Sequence, residues 1–518
     1  MRSGRPHGLA AVLLLVALGA PVFLAPAPAA AQEPYDITHY VLDIQADPAD
    51  DSLAVTATVI VSNPDRVQTV QLGLAEYERV AVRASSGPAE LERDGRWVAV
   101  RLDQPAPVDT LTFELAGAPD MSRGEKRPVL NENSLFLLWS DRFYPIDFTD
   151  WALVTTRVTL PAPYDVIAPG RRVRADTVGG RVTHVFRTTH PAVNLSVFAD
   201  RRWIRSERTV DGIPMVTLLH PESQRFAEQI FDTSGDVVTF FRDLHGAYPF
   251  DEFGFVTLEG TFARRAFSGF IGYSPSYLEK ELTTTGHDAH ETALLWWGHT
   301  VRGRGPGAFQ WTEGLGDYVE LYYDDARGLP YPAIFERFRR EYLASPDVDR
   351  HYSELRGNAP QKLVHGRYPW LMHVLRYRIG DDAFRSAIRL LFDRYRHRTF
   401  TLDEMVAALE EGAGQPLEWW REEWLERPGV PVLSVEHETE TLEDAYRVRG
   451  VIRQHGLVYH TPIDVAVRTA EGLVTERVVL DGDSTAFVVE TESEPIEVVL
   501  DPERWLIFRT PEAVGEGS

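Results

Sequence analysis

The alternation of apolar and polar residues divides the chain into three regions. From about Tyr35 to Ser206, short runs such as LAVTATVIVS and ALVTTRVTL alternate in step with a β-strand and are separated by Pro, Gly and Asp. From about Gly212 to Arg427, longer runs such as AEQIFDTSGDVVTFFRDL repeat apolar residues every three or four positions, as an amphipathic helix does. After Pro428 and Gly429, strand-like runs return in IDVAVRT and TAFVVET. The pattern predicts a β-rich region, a mainly helical region and a second β-rich region.

One helix start is marked in the sequence. Thr401 is followed three residues later by Glu404 in TLDEMVAALEEG. This spacing is that of a capping box, in which each side chain accepts a hydrogen bond from the other residue's backbone N–H. We therefore expect a helix to begin directly after Thr401.

The chain has 518 residues, too many for one hydrophobic core. We predict a multidomain α+β fold with four segments. These are a signal peptide (1–31), an N-terminal antiparallel β-domain (32–206), a mainly helical domain (207–428) and a C-terminal β-sandwich (429–518).

The first residues have the features of a secretory signal. Arg2 and Arg5 precede an apolar run from Leu9 to Ala20, and three alanines (29–31) come before Gln32. That run is too short to span a membrane convincingly, and no later stretch approaches spanning length. We expect an exported protein, periplasmic or extracellular, with no transmembrane segment after the signal.

Composition excludes several classes of function. The chain has no cysteine, which excludes disulfides, thiol catalysis and thiolate-bound metals. Its formal net charge is −24, which argues against nucleic acid as a partner. The oligomeric state is left open.

The segment HETALLWWGH (290–299) begins as a metal-binding motif and then departs from it. In H-E-x-x-H, two histidines one helical turn apart bind zinc, and the glutamate activates a metal-bound water. His290 and Glu291 fit the first two positions in a helix-compatible stretch, 288–298. The fifth position is Leu294, which has no lone pair to donate.

A further carboxylate follows at a characteristic interval. Glu313 in WTEGLGDYVELYY follows position 294 with eighteen residues between the two. This interval, the WTEG tetrapeptide, and Trp296 and Gly298 resemble the alanyl aminopeptidase family of gluzincin metallopeptidases. The resemblance covers nearly the whole chain. It implies a thermolysin-like middle domain, with His290 and Glu313 as metal ligands and Glu291 as the catalytic base.

The chain departs from the family pattern at three points. Leu294 replaces the second zinc histidine. Ser268, in RAFSGF, stands where the family's glutamate binds the substrate's amino group. His365, in VHGRYPW, stands where a tyrosine stabilises the oxyanion, and Arg367 replaces a lysine. Metal binding, substrate binding and oxyanion stabilisation are thus all altered, which points to a degenerate catalytic site.

A rebuilt metal site is the alternative. It would combine His290 and Glu313 with either His287 or His365, whereas His299 should point away from them. Without a metal, His290 is expected to hydrogen-bond to Glu313.

Three functions remain open from the sequence. The preferred one is a catalytically impaired pseudopeptidase that binds a peptide or protein in the inherited cleft. The second is an active zinc metallopeptidase with an altered ligand set, in which Glu291 and His365 act in catalysis. The third is an envelope interaction scaffold that uses the β-domains. Zinc is the expected cofactor if the protein is active, and none is expected otherwise.

Overall fold

A computed structural model describes residues 34–120, 130–259, 263–284, 288–305, 308–329, 333–351 and 361–511. The predicted signal peptide and His287 lie outside these ranges. The order of elements is strands, then helices mixed with a small sheet, then strands, so the predicted fold class is confirmed.

Thirteen strands form the N-terminal region. They are β1 (Asp36–Asp47), β2 (Ser52–Ser62), β3 (Thr69–Gly73), β4 (Arg79–Ala84), β5 (Ala89–Asp94), β6 (Trp97–Leu102), β7 (Val108–Ala116), β8 (Ser134–Leu137), β9 (Leu153–Pro161), β10 (Asp165–Ile167), β11 (Arg171–Val178), β12 (Arg181–Arg187) and β13 (Val197–Asp200).

A seven-stranded sheet, ordered β11-β12-β9-β1-β2-β7-β4, forms the centre of this region, and two three-stranded sheets accompany it. Strand β2 shows why these residues form strands. Every second side chain from Leu53 to Val61 is buried, and those between are exposed or half-buried. One face of the strand therefore enters a core while the other meets solvent. The predicted antiparallel character holds for most pairs, whereas β1 and β9 are parallel.

The middle region is mainly helical and has seven short strands. The strands are β14 (Ile204–Val210), β15 (Ile213–Leu219), β16 (Phe253–Thr257), β17 (Arg264–Phe267), β18 (Phe270–Tyr273), β19 (Val301–Gly303) and β20 (Arg398–Phe400). The helices are α1 (Ala227–His245), α2 (Pro275–Thr284), α3 (Ala289–Ala293), α4 (Ala308–Ala326), α5 (Ala333–Leu343), α6 (Gln361–Gly366), α7 (Tyr368–Ile379), α8 (Asp381–Tyr395) and α9 (Leu402–Ala413).

Five of these strands form one sheet, ordered β14-β15-β16-β18-β17, with β17 at its edge. Strand β14 begins at Ile204, so the sheet of the middle region starts slightly before the predicted boundary at 207. Helix α3 carries His290 and Glu291, helix α4 carries Glu313, and β17 ends directly before Ser268.

The motif helix is shorter than the sequence suggests. α3 ends at Ala293, and tighter backbone turns continue to Trp297. Gly298 then adopts a φ of 127°, a conformation that an α-helix cannot contain. The predicted helical stretch 288–298 is therefore helical only in its first half.

Six strands complete the chain. They are β21 (Leu433–Thr441), β22 (Tyr446–Gln454), β23 (Thr461–Thr469), β24 (Gly472–Leu480), β25 (Ser484–Thr491) and β26 (Glu497–Leu500). They form two three-stranded sheets, β21-β22-β25 and β24-β23-β26. Apolar side chains of this region, including Val465 and Val489, belong to the same buried cluster as the helices of the middle region. The N-terminal region has a core of its own.

The capping box at α9 is confirmed. The Thr401 hydroxyl accepts a hydrogen bond from the N–H of Glu404 at 3.3 Å, and the Glu404 carboxylate accepts one from the N–H of Thr401 at 2.6 Å. We expect Thr401→Ala to destabilise the protein by about 1 kcal/mol, because it removes the hydroxyl that accepts from the N–H of Glu404 and donates to its carboxylate. Thermal unfolding of Thr401→Ala and Thr401→Ser checks this, since serine keeps the hydroxyl. An equal loss in both variants would contradict it.

Among the described residues, no helix is both long enough and apolar enough to cross a membrane.

Candidate functional site

Helix α4 presents a line of carboxylates toward α3. Glu313, Asp317 and Glu320 are spaced by four and then three residues, which places them on one face of the helix. His290 lies on α3, opposite the later part of this line. The histidine–carboxylate cluster, as we name it, consists of His290, Glu313, Asp317, Glu320 and His365.

Asp317 joins the two histidines of the cluster. His290 Nδ1 lies 2.9 Å from Asp317 Oδ1, and His365 Nδ1 lies 2.5 Å from Asp317 Oδ2. The partner of His290 is thus Asp317 rather than Glu313, the partner expected from the sequence. Asp317 is one helical turn, about 6 Å, further along α4. The spacing of acidic residues in WTEGLGDYVELYY was the sequence signal for it.

The electrostatics of the cluster favour charged histidines. Burial by itself would lower the pKa of His290, but the hydrogen bond to Asp317 and the negative charges of Asp317 and Glu291 together outweigh it and raise the pKa to about 10. Burial opposes ionisation of Asp317, yet the charge of His365 and hydrogen bonds from both imidazoles hold the pKa of Asp317 well below its usual range. Burial raises the pKa of Glu320 to about 8. At neutral pH, Asp317 is therefore a buried anion paired with the His290 imidazolium, and the same carboxylate raises the pKa of His365 against the opposing effect of burial.

Leu294 fills the space between α3 and α4. A Cβ atom at Gly316 would lie 2.8 Å from Leu294 Cδ2, so the leucine side chain sits directly against the glycine. Leu294 is half-buried and packs on the main hydrophobic core. An apolar side chain therefore occupies the position one turn beyond His290, where the motif has a metal ligand.

The described residues do not fit a zinc ion in the arrangement expected from the sequence. Two groups among them bring at least three potential ligand atoms within 4.8 Å of one another: His290 with Asp317 and Glu320, and His220 with Glu222 and Glu259. Glu313 and His365 belong to neither group. Ligand atoms of tetrahedral zinc must converge to about 2.0–2.3 Å from the metal. His290, Glu313 and His365 do not converge in this way, and His287 lies outside the described residues.

Glu291 pairs with an arginine that no sequence motif indicated. Arg264, on the edge strand β17, places its Nε 3.3 Å from Glu291 Oε1 and its Nη1 3.0 Å from Glu281 Oε1. The same guanidinium lies 4.0 Å from Asp288, the N-cap of α3. Burial raises the pKa of Glu291, while His290 and Arg264 act in the opposite direction. One oxygen of the candidate base is thus engaged in an ion pair.

Ser268 lies apart from the histidine–carboxylate cluster. Its side chain is fully buried, and its hydroxyl donates to the carbonyl oxygen of Val193 at 2.5 Å. The other contact of this hydroxyl among the described residues is His299 Nδ1, at 3.3 Å. Ser268 therefore packs against the N-terminal region, and its hydroxyl is not presented to a ligand beside Glu291.

Arg367 has a structural role. It donates to the carbonyl oxygens of Trp424 and Arg427, at 3.0 and 2.9 Å. These contacts hold the start of α7 against the π-helical turn Trp420–Glu426. His365, two residues earlier, stacks on Phe338 with ring centroids 5.0 Å apart, which fixes its direction toward Asp317.

We expect the stability of the middle region to fall as the pH rises above about 6.5. The folded-state pKa of Glu320 is raised from 4.5 to about 8, so its contribution is present below pH 4.5 and is lost as the pH passes 8. The pKa of His290 is raised from 6.5 to about 10, so its contribution is present below pH 6.5 and is lost as the pH passes 10. For both groups, deprotonation destabilises the folded state, by about 1.4 kcal/mol for each unit by which the folded-state pKa is raised.

Melting temperatures measured from pH 5 to pH 10 check this expectation. Glu320→Gln should flatten the part of the profile below pH 8, and Asp317→Asn the part above pH 6.5. Below pH 6.5, the buried His245, His299 and His373, whose pKa values burial lowers to about 3, act in the opposite direction. Stability that stays constant or increases between pH 6.5 and pH 9 would contradict the assignment.

Sequence relatives of the chain are aminopeptidases. Aminopeptidase N of Lactococcus lactis subsp. lactis is 26% identical over 167 residues, which are 30% of this chain and 20% of that protein. Puromycin-sensitive aminopeptidase of Caenorhabditis elegans is 25% identical over 221 residues, 39% of this chain and 23% of that protein. The matched stretches thus span less than a quarter of either relative. No protein-family model matches the sequence.

Solved structures extend the relationship to the fold. The M1 zinc metallopeptidase of Deinococcus radiodurans aligns with a TM-score of 0.64 at 18% identity, over 76% of this chain and 95% of the other. Legionella pneumophila aminopeptidase A aligns with a TM-score of 0.71 at 13% identity, over 93% of this chain and 60% of the other. Together, these findings identify the chain as a homologue of aminopeptidase N that has the fold of the M1 zinc metallopeptidases.

Proposed function

We propose that the chain is an aminopeptidase-like protein that binds a peptide or a protein chain end in the inherited cleft beside Glu313 without hydrolysing it. The observation that carries the proposal is Leu294, which packs against Gly316 where a metal-ligating side chain would have to stand. Loss of a metal's outer-shell partner alone costs about 10–100-fold in affinity or activity, and loss of a direct ligand costs more.

The contact of Glu291 supports the absence of hydrolysis. A general base must accept a proton from a water molecule that it holds within hydrogen-bond distance. One oxygen of Glu291 faces the half-buried guanidinium of Arg264 instead. The ion pair occupies this oxygen and limits how Glu291 can accept a proton from a water molecule.

Retention of a ligand site is supported by Glu313. This residue is half-buried, and among the described residues its carboxylate has no hydrogen bond. A carboxylate in this condition is suited to accept a charge-assisted hydrogen bond from an ammonium group. A mutant of the Deinococcus radiodurans metallopeptidase binds a Tyr-Ser-Ala substrate. We infer that the amino terminus or a basic side chain of a peptide occupies the corresponding cleft here.

Calorimetry with Tyr-Ser-Ala, combined with mass spectrometry of the mixture, tests the proposal. The purified protein should bind the tripeptide and release no free tyrosine. Glu313→Gln should weaken binding by roughly 10–100-fold, since a hydrogen bond to a charged group contributes about 1.5–3 kcal/mol. Glu438→Gln, on the exposed part of β21, is the matched control and should bind as the parent does.

Other outcomes favour the other functions. Release of tyrosine would overturn the proposal in favour of an active zinc metallopeptidase with an altered ligand set. If the protein neither binds the tripeptide nor releases tyrosine, the peptide site is overturned. The β-domains then remain as the interaction surface, as a scaffold at the cell envelope would require.

Export is part of the proposal. It rests on the charged and apolar pattern of residues 1–31 and the alanines before Gln32. Mass spectrometry of the protein recovered from the native compartment should find Gln32 at the amino terminus. A chain that keeps Met1 there would contradict cleavage.

A further inference from the structure

We infer that the chain binds a divalent transition-metal ion between His290, Asp317 and Glu320, one helical turn along α4 from the position that Glu313 would define. His290, Glu313 and His365, the donors expected to hold a zinc ion, do not converge on one point. The donors that do converge lie elsewhere on the same two helices. The ion would be held by one imidazole and two carboxylates.

The distances within this group suit a metal. His290 Nδ1 lies 2.9 Å from Asp317 Oδ1 and 3.6 Å from Glu320 Oε2, and all three ligand atoms fall within 4.8 Å of one another. Nitrogen and oxygen ligands at 2.0–2.2 Å from a tetrahedral ion are roughly 3.4 Å apart. The observed separations lie on either side of that value, so an ion requires only small side-chain movements.

Glu320 supplies the second, independent observation. The residue is 9% exposed, and its carboxylate has no hydrogen bond to any described residue. Its contact is the ion pair with His290 at 3.6 Å, which is too long for a hydrogen bond. A buried carboxylate without a hydrogen bond is costly. A cation shared with Asp317 would satisfy it.

The surroundings provide the support that metal ligands need. His365 donates to Asp317 Oδ2 at 2.5 Å, which leaves Oδ1 directed toward His290. An outer residue that orients a ligand in this way raises metal affinity by about 10–100-fold. His365 is therefore a positioning residue in this arrangement.

The second group of potential ligands does not carry the same inference. Glu222 and Glu259 are exposed, and the guanidinium of Arg202 donates to Glu259 at 3.0 Å. A positive charge already occupies that position and opposes a metal ion. Glu259 thus offers a matched control.

The donor set indicates the class of ion. Imidazole and carboxylate ligands suit Zn²⁺ and Mn²⁺, and the absence of thiolates excludes the sulfur-ligated sites. Zinc should bind more tightly than manganese, because manganese lies at the weak end of the first-row series, in which affinity rises to copper and then falls at zinc.

Metal content distinguishes the displaced site from the expected one. The full-length protein is stripped with chelator, dialysed against Zn²⁺ or Mn²⁺, and analysed by mass spectrometry and thermal unfolding. We expect about one equivalent of zinc and a higher melting temperature. Glu320→Gln and His290→Ala should lower the affinity by at least about tenfold, and His365→Ala by about 10–100-fold. Glu313→Gln and Glu259→Gln should retain the ion.

Three results would overturn the inference. They are no bound metal, a loss in Glu313→Gln equal to that in Glu320→Gln, and a loss in Glu259→Gln alone. Circular dichroism of Glu320→Gln, a substitution of nearly equal volume, verifies that the variant is folded. Peptide binding and tyrosine release are measured independently of metal content. An absence of metal binding is therefore distinguishable from a failure of the proposed function.

Discussion

Asp317→Ala is expected to destabilise the protein by about 3–5 kcal/mol, because it leaves the buried His290 and the half-buried His365 without their shared counter-ion. The side chain of Asp317 is 2% exposed, and both of its oxygens are bound to imidazole nitrogens. For a domain of this size, the melting temperature should fall by roughly 10 °C, measured by differential scanning calorimetry at neutral pH.

Asp317→Asn is the control for this prediction. Asparagine keeps the volume and one acceptor oxygen, so it should cost less than alanine while still abolishing the charge. A melting temperature of Asp317→Ala within about 2 °C of the parent would show that the two histidines are not held by Asp317.

Arg264→Ala is expected to have an effect of similar size, about 3–5 kcal/mol. The guanidinium is 15% exposed and faces the carboxylates of Glu281 and Glu291, with Asp288 slightly further away. Burial alone would lower the pKa of Arg264, but the neighbouring Tyr273 and carboxyl groups raise it well above its usual range. Without the arginine, buried carboxylates repel one another or take up protons.

Arg225→Ala is the matched control for Arg264→Ala. Arg225 pairs with Glu279 on α2, and both side chains are more than half exposed. An exposed ion pair of this kind contributes about 0–1 kcal/mol. Thermal unfolding should therefore separate the two variants clearly. Equal decreases in melting temperature would mean that the ion pairs of Arg264 contribute no more than an exposed ion pair does.

Local pattern was sufficient for the secondary structure. The alternation in Ser52–Ser62 and the spacing of Thr401 and Glu404 depend only on residues a few positions apart, and the structure confirms both. The motif helix was the exception. Its apolar run continues to Trp297, but Gly298 and the tight turns before it end α3 at Ala293.

The sequence predicted only part of the candidate site. That Leu294 lacks a lone pair follows from its identity and its place after His290. The neighbour that fills the same space, Gly316, lies on another helix. Arg264 likewise reaches Glu291 from an edge strand 27 positions earlier, and no spacing rule links a strand residue to a helix residue at that distance.

The sequence by itself therefore determined the order of β-rich, helical and β-rich regions, the missing ligand at position 294 and the acidic line along α4. Only the tertiary structure decided that His290 pairs with Asp317 rather than Glu313, that His365 joins them from 48 residues away, and that Arg264 engages Glu291. The physical reason is that periodicity fixes which face of a helix a residue occupies. How two helices are positioned along one another is set by the packing of the whole core.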